Sequence, residues 1–461
     1  MVRKWLVVAV VGVSVATGAG CGGDDDEGGD ATSAAAPAAT SAADTGAATD
    51  AATTGETTET AAAVDLGGKT VRISGSETGV EGTAINESFK GFEERTGADV
   101  NFSGSRDFET QISLAIQSGK TPDIAFFPQP GKMQDAAASI PGLPEDIIAS
   151  VAENYDPGWT DVVTTKDGKL LGVPIKADLK SLVWYNPTQF EEGGYEVPKT
   201  WDELIALQDK IKADGKTPWC IGVESGDATG WTFTDWMEDF MLRMQGPEVY
   251  DQWVKHEIPF NDPKVKEVAQ AVADIWFAEG NVLQSREEIA TTSFGDAGIP
   301  LLDGDCLLHR QANFYAGFLQ ENEGEIGEDK DAFAFYLPSM EEGTNPVLSA
   351  GLYAVAFNDK PETLETMRFL ASPEYVTARV EAQKGGFLSA NKKQDVSVYP
   401  NDLERTFAEI LAAGDPVRFD ASDLMPAEVG TGTFWSGMVD YISGEDLEAV
   451  LTEIEESWPS E

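Results

Sequence analysis

Residues 70–127 read TVRISGSETGVEGTAINESFKGFEERTGADVNFSGSRDFETQISLAIQSGKTPDIAFF, and the spacing of apolar residues along them decides the fold. Val71–Ser74 alternates as a half-buried strand does. Ala84–Arg95 carries Ile85, Phe89 and Phe92 on one helical face and closes at Gly97. Asp99–Phe102 reads as a second strand. Asp107 then stands at a helix-cap position before Phe108, Ile112, Ala115 and Ile116, with Gly119 ending the helix. Ile124–Phe127 is apolar at every position, the pattern of a strand covered on both faces. This β-α-β-α-β order predicts an α/β fold built on a mostly parallel sheet with helices on both faces. Ligands of such sheets sit beyond the carboxyl ends of the strands. Ser74–Glu77, Gly104–Asp107 and Pro128–Gly131 are therefore candidate binding loops, with Glu77, Arg106, Asp107 and Phe127-Pro128-Gln129 as candidate contacts.

Outward from this stretch the chain keeps alternating. Val162–Thr165 and Leu170–Val173 flank Lys166-Asp167-Gly168, a hairpin signal. Thr200-Trp201-Asp202-Glu203 is a capping box opening a helix to Ala213. Further helices are expected over Thr234–Met244, Pro263–Ala278, Arg286–Thr291, Leu403–Ala413, Trp435–Ile442 and Glu445–Glu456. A chain of 461 residues exceeds what one core supports. Two lobes are expected: residues 68–174 with 333–374, and residues 175–332 with 375–461. No internal repeat or transmembrane stretch is visible.

The composition narrows the function. Eighty Asp and Glu stand against 32 Lys and Arg, a formal charge of −48. A surface this acidic repels nucleic acid and anionic headgroups, and it suits a neutral ligand better than an anionic one. Residues 1–20 begin with Arg3 and Lys4, continue through the apolar run Trp5–Val15, and end in small residues. That run is too short to span a bilayer and has the layout of a signal peptide. Gly18-Ala19-Gly20-Cys21 resembles the bacterial lipoprotein processing site, at which the cysteine is lipidated and becomes the new N-terminus. With Gly18 where that pattern prefers Leu, simple cleavage leaving a free Cys21 is the alternative. Either route exports the protein, and lipidation would hold it on the outer face of the cell membrane. Residues 21–67 hold Gly, Ala, Thr, Ser and acids without an aromatic residue, the composition of a disordered tether with a span on the order of 35 Å. In an exported chain the remaining pair, Cys220 and Cys306, reads as a disulfide, with two buried thiols as the alternative.

Several segments, taken in order, resemble the family 1 extracellular solute-binding proteins of carbohydrate ABC importers, and within them the α-glucoside-binding branch. They are Gly104–Glu109 leading into Gly119–Gly131, Gly172–Lys176 running into Ser181–Asn186, Pro198–Leu204, Cys306–Phe314, and Gly386–Asn391. The resemblance covers roughly residues 68–458. It implies a two-lobed periplasmic-binding-protein fold of type II, with multiple crossovers between lobes and a cleft that closes on its ligand for presentation to permease subunits. It implies a monomer that needs no metal or cofactor.

A sugar needs bidentate hydrogen-bonding groups for its hydroxyls and a flat aromatic ring for its C–H face. Trp231 and Asp235, in Gly230-Trp231-Thr232-Phe233-Thr234-Asp235-Trp236, fit that need, with Trp231 in a loop before the helix. Trp236 is either a contact or core packed on Phe240. Phe434 and Trp435 follow the glycines Gly430 and Gly432, in a region where the related maltose-binding proteins place a stacking aromatic. Arg310 and Tyr353 complete the candidates. Lys176 and Asp178 sit at the expected crossover, as hinge or contact, and Trp184 and Tyr185 read as strand core. The chain lacks a Gly-x-Ser-x-Gly elbow, a His-Glu-x-x-His helix and a phosphate-binding Gly-x-x-x-x-Gly-Lys loop, and it has only two histidines. Catalysis by two carboxylates, as in a glycosidase, is the remote alternative; the same fold holding a polyamine is the nearer one.

Overall fold

The structure is a computed structural model, and it describes residues 64–460. The signal segment and Cys21 lie outside the described residues. Leu66, expected in the tether, is instead buried, and its N–H donates to the Thr96 carbonyl, so the folded part begins there.

Among the described residues nine strands form two sheets. β1 (Thr70–Gly75), β2 (Asp99–Gly104) and β3 (Ile124–Phe127) are the three strands read from sequence, and they pair in parallel in the order β2-β1-β3. β4 is Val173–Leu179, β5 Leu182–Tyr185, β6 Leu308–Arg310, β7 Phe333–Tyr336, β8 Val347–Ala356 and β9 Val417–Phe419. The large sheet runs β2-β1-β3-β8-β4, with β9 parallel beside the first residues of β8. β8 is antiparallel to both β3 and β4. The small sheet is β6-β5-β7, antiparallel throughout. Each sheet has its own core. Phe89, Phe102, Phe126 and Tyr353 fill one; Trp219, Trp253, Phe260 and Trp276 fill the other.

This topology corrects the expected lobe boundaries. β4 pairs with β8 along its whole length, so the first crossover falls at Lys180–Ser181 rather than at residue 175. Phe333–Tyr336 pairs with β5 in the small sheet, and the chain returns only at Val347. β9 brings residues 417–419 back to the large sheet a third time.

Local signals explain the other differences. The first helix splits into Gly79–Ser88 and Lys90–Thr96 around Phe89, whose ring is fully buried against Phe369 and Tyr375. Residues 162–173 make a single bridge, Thr164 to Leu170, and Val173 belongs to β4. The capping box at Thr200 and Glu203 forms as read. Asp107 occupies its cap position, but its side chain makes no cap bond.

Cys220 and Cys306 are disulfide-bonded, their Cα atoms 5.6 Å apart and 86 residues apart in sequence. Closing a loop of that length restricts the unfolded chain by roughly 4–5 kcal/mol in the chain-entropy account. Reductant should therefore lower the thermal midpoint by several degrees. An equal count of titratable thiols in denaturant with and without reduction would show that the bond does not form.

Candidate functional site

Side chains alternate along a strand, so Lys176, Asp178 and Lys180 leave the end of β4 on one face. Their partners in β8, Ala350 and Leu352, face the same way. These residues make the floor of a cleft holding about 770 Å³ of non-protein space. One wall comes from the carboxyl ends of β1, β2 and β3, through Ser76 and Glu77, Arg106, and Pro128 and Gln129, as the sheet rule requires. The other wall is aromatic: Trp231, Phe294, Phe314 and Trp435.

The aromatic wall is set by helix geometry. The helix Trp231–Met244 starts at Trp231 itself, not three residues later, because Gly230 takes φ 111° and supplies the turn. A Cβ on Gly230 would lie 2.3 Å from the Trp435 carbonyl oxygen, so only glycine lets the two tryptophan segments meet. Trp231 packs edge-on against Phe294, with centroids 5.0 Å apart, and lies 6.2 Å from Phe314. Three cations lie over these rings: Lys180 over Trp231 at 5.2 Å, Arg106 over Phe294 at 4.7 Å and Lys176 over Phe314 at 5.0 Å.

The floor is charged yet internally paired. Lys176 Nζ donates to Glu81 Oε1 at 2.9 Å and lies 3.2 Å from Asp178. Lys180 Nζ donates to Asp235 Oδ1 at 2.6 Å and also to Asp420. Burial alone would depress both lysines; Asp178 and Glu81 outweigh it for Lys176, and Asp235 and Asp420 for Lys180, so both stay firmly protonated. Burial would raise Asp420, yet Lys180 holds it below the carboxylate range. Burial pushes Asp235 up to about 7, with Asp420 adding to it and Lys180 and Arg310 opposing. Burial and then Asp420 likewise lift Glu238 and Asp423 well above their usual range. On the facing wall, burial and the nearby Glu81 push Glu77 up to about 7.

Two cleft acceptors, Glu77 Oε2 and Gln129 Oε1, are buried with neither a hydrogen bond nor an ion pair. Glu77 Oε1 accepts from Ser76, and Gln129 Nε2 donates to Glu109 Oε1, which holds both side chains in place.

The sequence-predicted residues divide. Glu77, Arg106, Gln129, Lys176, Asp178, Trp231 and Trp435 line the cleft. Asp235 and Arg310 stand one layer behind: Asp235 grips Lys180, and Arg310 Nη2 donates to Asp239 at 2.7 Å. Asp107 is exposed and off the lining. Trp236 packs against Trp219 and Trp276 in the core. Phe434 is fully buried against Trp253 and Phe260, because one residue of helical rotation turns it away from Trp435. Tyr353 lies beneath the floor against Phe419. Trp184 and Tyr185 are core, as read. The sequence reading missed Glu81, Glu109, Lys180, Phe294, Phe314, Ser422, Asp420 and Asp423, all of which reach the cleft or its floor. Only Lys180 had a visible signal, as the next same-face residue after Lys176 and Asp178.

Two α/β lobes joined by repeated crossings around such a cleft define a solute-binding protein. The solved structures agree on the fold. A protein from the xylan-utilising Caldanaerobius polysaccharolyticus superposes with a TM-score of 0.72 at 18% identity, over 84% of this chain and 99% of that one. The maltose-bound MalE3 of T. maritima superposes with a TM-score of 0.64 at 16% identity, over 84% and 98%. Residues 75–377 match the family model described as bacterial extracellular solute-binding protein, and the chain belongs to that family. It is 44% identical to the osmoprotective compounds-binding protein GgtB of Synechocystis sp., over 85% of this chain and 93% of that protein. It is 40% identical to the α-glucosides-binding periplasmic protein AglE of Rhizobium meliloti, over 86% and 88%.

A carboxylate whose folded pKa is raised costs stability as pH climbs from its unfolded value near 4.5 through about 7. Glu77→Gln should accordingly raise the thermal midpoint at pH 8 and raise it less at pH 5, while weakening ligand binding at both. Thermal melts and calorimetry at the two pH values check the pair of effects; a variant equally destabilised at both would show that Glu77 serves packing alone.

Proposed function

We propose that the protein binds a neutral carbohydrate, an α-glucoside or another small oligosaccharide, and delivers it to an ABC importer by cleft closure. One observation carries this reading. The cleft sets an aromatic wall opposite buried acceptors that lack partners, while Glu81, Asp178 and Asp420 are already paired with Lys176 and Lys180. A pyranose ring offers an apolar C–H face to Trp231 and hydroxyl donors to Glu77 and Gln129. Trp435, whose indole N–H lies 3.4 Å from the Ser422 hydroxyl, closes the aromatic side. The same pairing argues against a polyamine. An ammonium ligand needs ionised, unpaired carboxylates; Lys176 and Lys180 occupy Glu81, Asp178, Asp235 and Asp420, and burial shifts Glu77, Glu109 and Asp423 toward the neutral acid. The named ligands of GgtB and AglE, osmoprotective compounds and α-glucosides, support a neutral polyol.

The role is capture rather than hydrolysis, in keeping with the extracellular solute-binding family to which the chain belongs. Closure would move the lobes about the crossings at Lys180–Ser181, residues 337–346 and the segment that leaves β9. The signal-like residues 1–20 and Cys21 support export and lipid anchoring outside the membrane, close to permease partners. Among the described residues no helix is long and apolar enough to cross a membrane.

A thermal-shift panel of α-glucosides, polyamines and amino acids tests the ligand class. The α-glucosides should stabilise and the others should not. In calorimetry with the best sugar, Trp231→Ala and Trp435→Ala should each lose roughly ten- to a hundredfold in affinity, by analogy with base stacking on aromatics. Stabilisation by polyamines alone, or full affinity in both variants, would refute the reading.

A further inference from the structure

The β4–β8 ribbon has a second face. Ala350 and Leu352 point into the cleft with their register partners Asp178 and Lys176, so Ser349 and Gly351 point the other way. A Cβ built on Gly351 would lie 3.1 Å from the Trp159 ring, which places that indole behind the ribbon. Here a second cavity of about 520 Å³ opens. Trp159 bounds it from the first lobe, and Ser349 and Phe419 from the large sheet. Tyr399 and the helix Asp402–Ala413, through Ala408 and Leu411, close the far side.

Its chemistry is specific. Trp159 and Phe419 meet edge-on with centroids 6.1 Å apart, so flat aromatic surface borders the space. Gln394 lines it, and its Oε1 is buried with no hydrogen-bond partner. Asn391 is 4% exposed; its carboxamide oxygen accepts the Lys393 N–H, and its Nδ2, beside the Tyr155 hydroxyl, makes no well-formed hydrogen bond. The Tyr399 hydroxyl accepts the Ser389 N–H, which leaves its hydrogen to donate. The charged side chains there cancel, since Lys392 Nζ pairs with Asp156 Oδ1 at 3.2 Å. Buried polar atoms rarely go without partners, and donors and acceptors beside aromatic faces, with no net charge, match a hydroxylated ring.

We infer that this cavity behind the crossover ribbon is a second ligand site, for a neutral hydroxylated ring compound such as a sugar. It stands independently of the cleft reading, because no residue of its lining belongs to the cleft.

The test is a titration of the folded chain with maltose, followed through the tryptophan indole N–H signals, with Trp159 identified by Trp159→Phe. The Trp159 signal should move along a saturation curve of its own. It should keep doing so in Trp231→Ala and cease in Ala408→Phe, which fills the cavity from a surface helix. Gln394→Ala should weaken that event about tenfold, the loss of one hydrogen bond. Loss of the cleft event alone would sink the cleft reading and leave this site standing. A Trp159 signal that does not move, or that moves only in step with the cleft signals and unchanged in Ala408→Phe, overturns the second site.

Discussion

A lysine ammonium buried where the chain leaves the large sheet is the constraint on which the rest of the structure depends. Lys180 is 6% exposed, and its burial is tolerable only because Asp235 and Asp420 reach it from two distant segments. Removing one partner from such a group leaves a buried charge uncompensated, which is strongly destabilising. The pairing thus ties the crossover to the helix Trp231–Met244 and to the segment after β9. Glu238 reinforces the same joint by accepting the N–H groups of Ala421 and Ser422 at 3.1 Å each. With those elements fixed, Trp231 and Trp435 are fixed too, and they form much of the cleft's aromatic side.

Charge is handled differently inside and out. The formal −48 spreads over the whole chain, whereas the cleft floor balances its acids with Lys176 and Lys180. Two raised carboxyls, Glu238 and Asp423, reduce the remaining negative charge further. A floor arranged this way gives a long-range field no role in ligand choice. Selection rests on shape, stacking and hydroxyl-directed hydrogen bonds, which is how a family of shared fold can serve many neutral solutes.

The fold was largely legible in the sequence because periodicity and punctuation are local. The three parallel strands, the capping box at Thr200 and the pairing of Cys220 with Cys306 all rest on short-range pattern or on cysteine count. The lobe boundaries were less legible, since strand membership is decided by partners: nothing within Phe333–Tyr336 says that β5 will claim it. The loops that line the cleft from the first lobe were legible through the carboxyl-end rule, and the places of Glu77, Arg106 and Gln129 follow from it. The second lobe's contribution was not. Phe294, Phe314, Asp420 and Asp423 come from segments with no shared motif, and only the folded chain brings them together. Phe434 and Trp435 show the limit most sharply: of two adjacent aromatics, one fills the core and the other faces the cleft.

The central claim is that a neutral hydroxylated ring lies between the Trp231 wall and the partnerless acceptors, with the lysine pairs left intact. A crystal structure of the sugar-saturated protein measures this directly. The prediction is ring density against Trp231, hydroxyls within hydrogen-bond distance of Glu77 and Gln129, and Lys180 still on Asp235 and Asp420. A ligand bound through a cationic group that displaces Lys176 or Lys180 from its carboxylates, or one that leaves Trp231 untouched, would contradict it.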